Sequence, residues 1–126
     1  MPTVHIDTPH DNWEISTIED RLRRIFPEDS FYLKNPEGSN ARSDQLVSTF
    51  RSDWAKYQGN SVDSYKKKAG ETQTVNVNDS YQVKTLKRNA ADACGIPPAA
   101  IALKIPPESR KGEEMQVSSF RGYFYG

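Results

Sequence analysis

The sequence predicts an α+β protein, in which about three helices pack on one face of a small, mostly antiparallel sheet. Three segments carry apolar residues at helical spacing, and short segments with alternating apolar residues lie between them. Clusters of Pro, Gly and Asn separate these segments, as is typical of turns. The predicted element order is β-α-β-α-β-α-β-β, so the C-terminal half is expected to be β-α-β-β.

The first strand and helix are predicted from residues 4–26. Val4 and Ile6 alternate with polar residues, as in a half-buried strand. Ser16 and Glu19 have the spacing of a capping box at a helix start, and Pro27 ends the helix because the residue before proline avoids helical backbone angles. The apolar residues of this helix form one stripe: Ile15, Ile18, Leu22, Ile25 and Phe26.

A second strand is predicted at residues 31–33 and a second helix at 43–57. The apolar arc of this helix spans about 100° and carries three aromatic residues. Its members are Leu46, Val47, Phe50, Trp54 and Tyr57. Residues 58–72 are mostly polar and predict a loop, whose length inside a compact domain is typical of functional or disordered segments.

The C-terminal half begins with a predicted strand around Val75 and Val77. A third helix is expected at 81–94, capped by Asp79 or Ser80 and ended by Gly95, where a C-cap glycine belongs. Two more strands are predicted at 101–105 and 117–124, joined by a charged hairpin at 108–114.

The chain has the size of one domain. Its 126 residues are expected to fold as a single domain, 1–126. An alternative division has an N-terminal subdomain (residues 1–57), the polar loop 58–72 and a C-terminal subdomain (residues 73–126). We expect no internal repeat. The mean hydropathy of −0.81 predicts a small core.

The composition weakens several functional classes. Lys plus Arg and Asp plus Glu both number 17, so no overall charge attracts a polyanion or an anionic membrane. The sequence contains one cysteine, which excludes an internal disulfide. The start MPTVHID does not resemble a signal peptide, and no run approaches the roughly 18 apolar residues of a membrane span. We therefore expect a cytoplasmic protein with no membrane association, such as a phage or plasmid accessory protein.

The sequence offers two weak sites for chemistry. His5, Asp7, His10 and Asp11 have acceptable ligand groups for a divalent metal, but their spacing fits no zinc motif, and a solvent-facing strand edge followed by a polar turn is the favoured explanation. Cys94 lies near a predicted helix C-terminus, which disfavours a reactive thiolate. We therefore expect a non-enzymatic protein that binds neither a metal nor a cofactor.

Aromatic residues instead favour a surface that binds another protein or a second copy of the chain. Trp, Tyr and Arg are the residue types that most often anchor protein interfaces. Three consecutive rings at the C-terminus cannot all lie on one side of a strand, so at least one would face outward. The predicted partner-binding residues are Trp54, Tyr57, Phe120, Tyr123, Phe124 and Tyr125.

Nucleic-acid binding is the alternative. Basic residues in the polar loop, on the outer face of the third helix and near the C-terminus would hold phosphates if the fold brought them together. The predicted residues are Lys66, Lys67, Lys68, Lys84, Arg88, Arg110, Lys111 and Arg121. Zero net charge argues against a dedicated nucleic-acid binder.

Overall fold

A computed structural model describes residues 3–66, 69–105 and 112–125, with the backbone alone described for Lys66 and Tyr125. It confirms the predicted α+β class. The elements in chain order are β1 (Thr3–Asp7), α1 (Ile15–Leu22), β2 (Phe31–Leu33), α2 (Val47–Gln58), α3 (Asp63–Lys66), β3 (Thr72–Asn76), α4 (Val83–Cys94), β4 (Ile101–Leu103) and α5 (Val117–Tyr125). Short 3₁₀ turns occupy Pro98–Ala100 and Gly112–Glu114.

The strands form two antiparallel ribbons, each joining a strand from the first half of the chain to one from the second. β1 pairs with β3, with His5 opposite Thr74 at the centre. β2 pairs with β4, with Tyr32 opposite Ala102 at the centre. Because side chains alternate along a strand, Ile6 faces the core while its neighbours face solvent.

One buried cluster draws on both halves of the chain. The five apolar residues predicted for α1 are buried, each at most 2% exposed. The helix itself ends at Leu22, before the predicted stop at Pro27, so Ile25 and Phe26 reach the core from the turn that follows α1. α4 contributes Val83, Leu86 and Ala90, and α2 contributes Val47, Phe50 and Trp54. The helices thus pack against the inner faces of both ribbons and against one another.

The predicted last strand at 117–124 is a helix instead. Val117 and Phe120 lie three residues apart on the buried side of α5, and the ring of Phe120 packs at right angles to that of Phe26, with centroids 6.4 Å apart. Tyr123 is on the outer side and is 50% exposed. Helical spacing therefore places the rings of Phe120 and Tyr123 on different sides of α5. The element order of the second half is β-α-β-α.

A repeated motif is also present, which corrects the expectation that the chain has none. Helices α1, α2, α4 and α5 each begin at the third residue of a similar hexapeptide. The third residue is Ile or Val, the fifth is Thr or Ser, and the sixth is a large apolar residue. The four segments are WEISTI at 13–18, QLVSTF at 45–50, YQVKTL at 81–86 and MQVSSF at 115–120.

These four motifs pair by reciprocal backbone hydrogen bonds. The amide of Ile15 donates to the carbonyl of Gln45, and the amide of Val47 donates to the carbonyl of Trp13, both at 2.8 Å. In the second half, Val83 donates to Met115 and Val117 donates to Tyr81, again at 2.8 Å. Each turn thus satisfies N–H groups that would otherwise lack partners at the start of the other helix.

This pairing replaces the predicted side-chain caps. Residues Glu14 and Gln82 are the N-caps of α1 and α4, and neither makes a side-chain capping hydrogen bond. The capping box predicted at Ser16 and Glu19 is absent because the amide of Ser16 donates to the carbonyl of Ser43. The carboxylate of Glu19 accepts a hydrogen bond from the Ser43 hydroxyl at 2.8 Å instead.

The order β-α-β-α therefore occurs twice, as β1-α1-β2-α2 and as β3-α4-β4-α5. The two copies pair through antiparallel ribbons, which is the arrangement that a two-fold axis generates. The segment between them, predicted as a loop, contains the short helix α3. This linker lies between the two copies, directly after α2.

Two C-cap glycines differ in their surroundings. Gly59 and Gly95 end α2 and α4, and both have a φ of 71°. A Cβ atom added at Gly59 would meet nothing within 4 Å. At Gly95 it would collide with the carbonyl oxygen of Tyr65 and lie 2.8 Å from Nη2 of Arg51.

We predict that Gly95→Ala destabilises the protein by about 1–3 kcal/mol more than Gly59→Ala. Both variants incur the left-handed backbone cost of about 1–2 kcal/mol, but only the first adds a steric clash. Urea unfolding followed by tryptophan fluorescence measures the difference. Equal free energies of unfolding for the two variants would show that α3 does not pack closely on Gly95.

Candidate functional site

The centre of the site is Arg51, a charged residue on α2 that is fully buried. Its guanidinium donates four hydrogen bonds, so that each of its nitrogens has a partner. Nε donates to the carbonyl of Gly95 at 2.9 Å, and Nη2 donates to the carbonyls of Cys94 at 3.0 Å and Pro9 at 2.8 Å. Nη1 donates to Oδ1 of Asp11 at 2.7 Å.

These bonds hold together three segments of the chain. The carbonyls of Cys94 and Gly95 lie at the C-terminal end of α4, where the helix dipole favours a cation. Pro9 and Asp11 belong to the turn between β1 and α1. The buried Thr8 hydroxyl adds a direct hydrogen bond from that turn to the carbonyl of Ala93 at 2.6 Å. Arg51 therefore fixes the end of α4 against the first copy of the repeat.

The second copy contains an equivalent pair with a looser geometry. Arg121 follows VSSF as Arg51 follows VSTF, and Asp79 precedes its hexapeptide as Asp11 does. The Arg121–Asp79 distance is 3.9 Å, and the two side chains are 34% and 65% exposed. The same sequence feature thus forms a buried clamp in one copy and a surface ion pair in the other.

A cleft of about 370 Å³ opens where the linker crosses the end of α4, next to this clamp. We call it the linker–α4 cleft. One side of the cleft is formed by Gln58, the last residue of α2, and by the linker residues Asn60, Ser64 and Tyr65. The Tyr65 hydroxyl donates to Oε1 of Gln58 at 2.5 Å and accepts from Nδ2 of Asn60 at 3.2 Å, so this wall is internally braced.

The other side of the cleft is formed by α4 and the turn after it. Arg88 and Asp92 lie one helical turn apart on α4, and Gly95 and Ile96 continue the wall. Pro97 and Pro98 close the end, and their rings restrict the backbone there. The cleft therefore combines a rigid apolar end, a neutral polar wall and a charged helix face.

Only some of the predicted aromatic surface is accessible. Trp54 and Phe120 are 2% and 1% exposed, so they belong to the core and do not reach a partner. Phe124 is partly buried against the core cluster. Tyr57, at 68% exposed, and Tyr123 are the members that face solvent. The side chain of Tyr125 lies outside the described residues.

The predicted basic residues do not form a single positive surface where they are described. Nζ of Lys84 lies 3.5 Å from a Glu114 carboxylate oxygen, and Arg121 faces Asp79. Lys87, at the edge of the same helix face, pairs with Glu113 at 2.9 Å. Arg88 lines the linker–α4 cleft. The remaining predicted positions lie outside the described residues: Lys67, Lys68, Arg110, Lys111 and the side chain of Lys66.

The four potential metal ligands point to separate partners. His5 Nδ1 and Thr74 Oγ1 are joined by a 3.1 Å hydrogen bond, and the Asp7 carboxylate accepts from the Thr72 hydroxyl at 2.8 Å. The His10 ring packs edge-on against Trp13, and Asp11 pairs with Arg51. Across residues 3–66, 69–105 and 112–125, no group of three or more His, Cys, Asp or Glu side chains is arranged to hold a metal ion.

Cys94 is fully buried at the end of α4. Burial raises the pKa of its thiol from 9.0 to about 12, although the nearby charges of Arg21 and Arg51 act in the opposite direction. The thiol is therefore protonated and shielded near neutral pH. This environment suits a small core residue and not a nucleophile.

Of the residues that line the cleft, the sequence analysis singled out Arg88, as a candidate phosphate ligand. Arg51, which holds the end of α4 beside the cleft, gave no signal, because it lies at the edge of the apolar arc of α2, where a solvent-exposed charge is ordinary. Tyr65 and Pro98 also gave no signal, since their proximity depends on the path of the linker over α4.

Comparison with protein-family models, with curated proteins and with solved structures found no match. None of the helices within the described ranges is both long enough and apolar enough to cross a lipid bilayer. The geometry of the chain itself is therefore the basis on which its function is proposed.

We predict that Arg51→Met lowers the free energy of unfolding by about 3–5 kcal/mol, because it removes the buried guanidinium that donates to Asp11 and to three backbone carbonyls. Arg121→Met is the matched control from the second copy, and its cost should stay below about 1 kcal/mol. Urea titration of both variants tests this. Similar losses in the two variants would contradict the unequal roles of the two arginines.

Cys94 should be unreactive towards DTNB at pH 8 in the folded protein and reactive after unfolding in urea.

The raised pKa of the Cys94 thiol also predicts that the stability of the protein depends on pH. Above pH 9 the unfolded thiol loses its proton while the folded thiol keeps it up to about pH 12, so the free energy of unfolding falls as the pH rises through this range.

The loss from this one group should reach about 1 kcal/mol at pH 10. This pH-dependent loss should be absent from Cys94→Ala. Any excess of the wild-type free energy of unfolding over that of the variant should therefore shrink or change sign between pH 8 and pH 10. A difference that stays constant over this range would contradict the raised pKa of the buried thiol.

Proposed function

We propose that this protein is a non-enzymatic binding module that captures a short segment of another protein in the linker–α4 cleft. The observation that carries the proposal is the combination, in one open cleft, of a proline-walled apolar end, a braced tyrosine and an arginine. Small sets of polar groups on an apolar wall are typical of binding sites, and Tyr and Arg often anchor protein contacts. The cleft volume is within the lower range of ligand sites, which fits a few side chains.

Binding is favoured over catalysis by the separation of the reactive groups. A cysteine nucleophile requires a base or cation that lowers its pKa, whereas Cys94 is buried with a raised pKa. The two histidines contact Thr74 and Trp13 and not that thiol. The proposal includes a reducing compartment such as the cytoplasm, because the single cysteine is buried and unpaired.

The nucleic-acid alternative has weaker support. Binding to a nucleic acid requires lysines and arginines that pair with its phosphates and so release the counterions bound there. Lys84, Lys87 and Arg121 instead face carboxylates on neighbouring elements. Self-association through Tyr57 and Tyr123 also lacks a supporting observation beyond their exposure, so a segment of a different protein is the preferred ligand.

Panning a displayed library of 12-residue peptides on the folded protein tests the proposal. We expect the recovered peptides, once synthesised, to perturb the amide NMR signals of α3, the end of α4 and the turn at Pro98. Gln58→Trp should weaken their binding at least about tenfold by filling the cleft, corresponding to a loss of roughly 1.4 kcal/mol. Lys56→Trp is the control, since it lies on the same helix outside the cleft.

Two results would overturn the proposal. One is a set of peptides whose NMR perturbations cluster around Tyr57 or Tyr123 and whose binding is insensitive to Gln58→Trp. The other is the absence of any enriched peptide, together with a mass in solution at a multiple of 14.3 kDa, which would favour a self-association surface.

A further inference from the structure

The two charged residues that line the linker–α4 cleft, Arg88 and Asp92, differ in their contacts. Among the described residues, the wall opposite α4 is lined by amide and hydroxyl side chains, those of Gln58, Asn60, Ser64 and Tyr65. On the helix wall, Asp92 takes part in a further interaction and is not a free anion. Arg88 is exposed and, among the described residues, has no hydrogen-bond or ion-pair partner.

Arg88 differs in this respect from the other cations of α4. Lys84 and Lys87 each have a glutamate partner from the 3₁₀ turn that precedes α5. The equivalent of Arg88 in the first copy of the repeat is Asp20, which pairs with Arg23 at 2.6 Å on the surface. The unpaired cation therefore occurs at the position where the linker adds a second wall.

Building on the proposed function, we infer that the segment bound in the linker–α4 cleft is acidic. An aspartate or glutamate of the partner pairs with the Arg88 guanidinium, whose planar donors suit a carboxylate. An adjacent apolar side chain packs against Pro98 and the ring of Tyr65. The amide and hydroxyl side chains of the opposite wall contribute hydrogen bonds to the backbone of the segment.

A change of charge at Arg88 tests this inference. The 12-residue library is panned in parallel on wild type, on Arg88→Glu and on Arg24→Glu. The last variant alters the net charge by the same amount but lies exposed just after α1, outside the cleft. Circular dichroism and thermal unfolding confirm that each variant is folded before panning.

We expect wild type and Arg24→Glu to enrich peptides with Asp and Glu, and Arg88→Glu to enrich Lys and Arg. In a synthesised wild-type binder, replacing the acidic residue by Gln or Asn should weaken binding by roughly two- to fivefold, as for a solvent-exposed ion pair. The same replacement should have no effect on binding to Arg88→Gln, because the guanidinium is then absent.

The outcomes separate this inference from the proposed function. Peptides that map to the cleft but show no acidic preference, or the same preference on Arg88→Glu, overturn the inference and leave the proposed function intact. Peptides that do not map to the cleft overturn both. Displacement of an acidic peptide by a short single-stranded oligonucleotide, lost in Arg88→Gln, would make a nucleic acid the ligand and overturn the inference.

Discussion

The buried guanidinium of Arg51 is the interaction on which the rest of the structure depends. Taking a cation out of water is costly unless its nitrogens find acceptors, and here a carboxylate and three carbonyls accept from all three nitrogens of the guanidinium. These acceptors belong to the first turn and to the end of α4, which no continuous element connects. Arg51 thus fixes the C-terminal end of α4 and Gly95, which form one wall of the linker–α4 cleft.

The repeat explains how α1, α2 and α4 can begin without a side-chain N-cap. The turns before these helices and α5 form two pairs, and the turns of each pair exchange two backbone hydrogen bonds. Four helix starts thereby receive a backbone acceptor. The two copies then share their strands, because each ribbon takes one strand from either copy. The linker–α4 cleft lies where the linker packs beside Arg88. The equivalent position in the first copy is Asp20, which pairs with Arg23 on the surface.

Local patterns predicted much of the fold. The stripes of α1 and α4 and the alternation of β1 gave the correct element types, because these segments have one clear period. The segment from Val117 to Phe124 was assigned as a strand because its apolar residues also suit alternation. Other features depend on residues that are far apart in sequence, and a local pattern of apolar residues does not predict them. These features are the pairing of β1 with β3 and the crossing of the linker over α4. The cleft residues other than Arg88 were missed for this reason.

The exchange of strands between copies has a consequence for synthesis of the chain. β1 and β2 leave the ribosome well before β3 and β4, which are their only ribbon partners among the described strands. Until then the nascent chain presents two strands with unpaired backbone edges, a state that invites pairing with other chains. The linker length and the speed of translation therefore set how long the growing chain is exposed to aggregation.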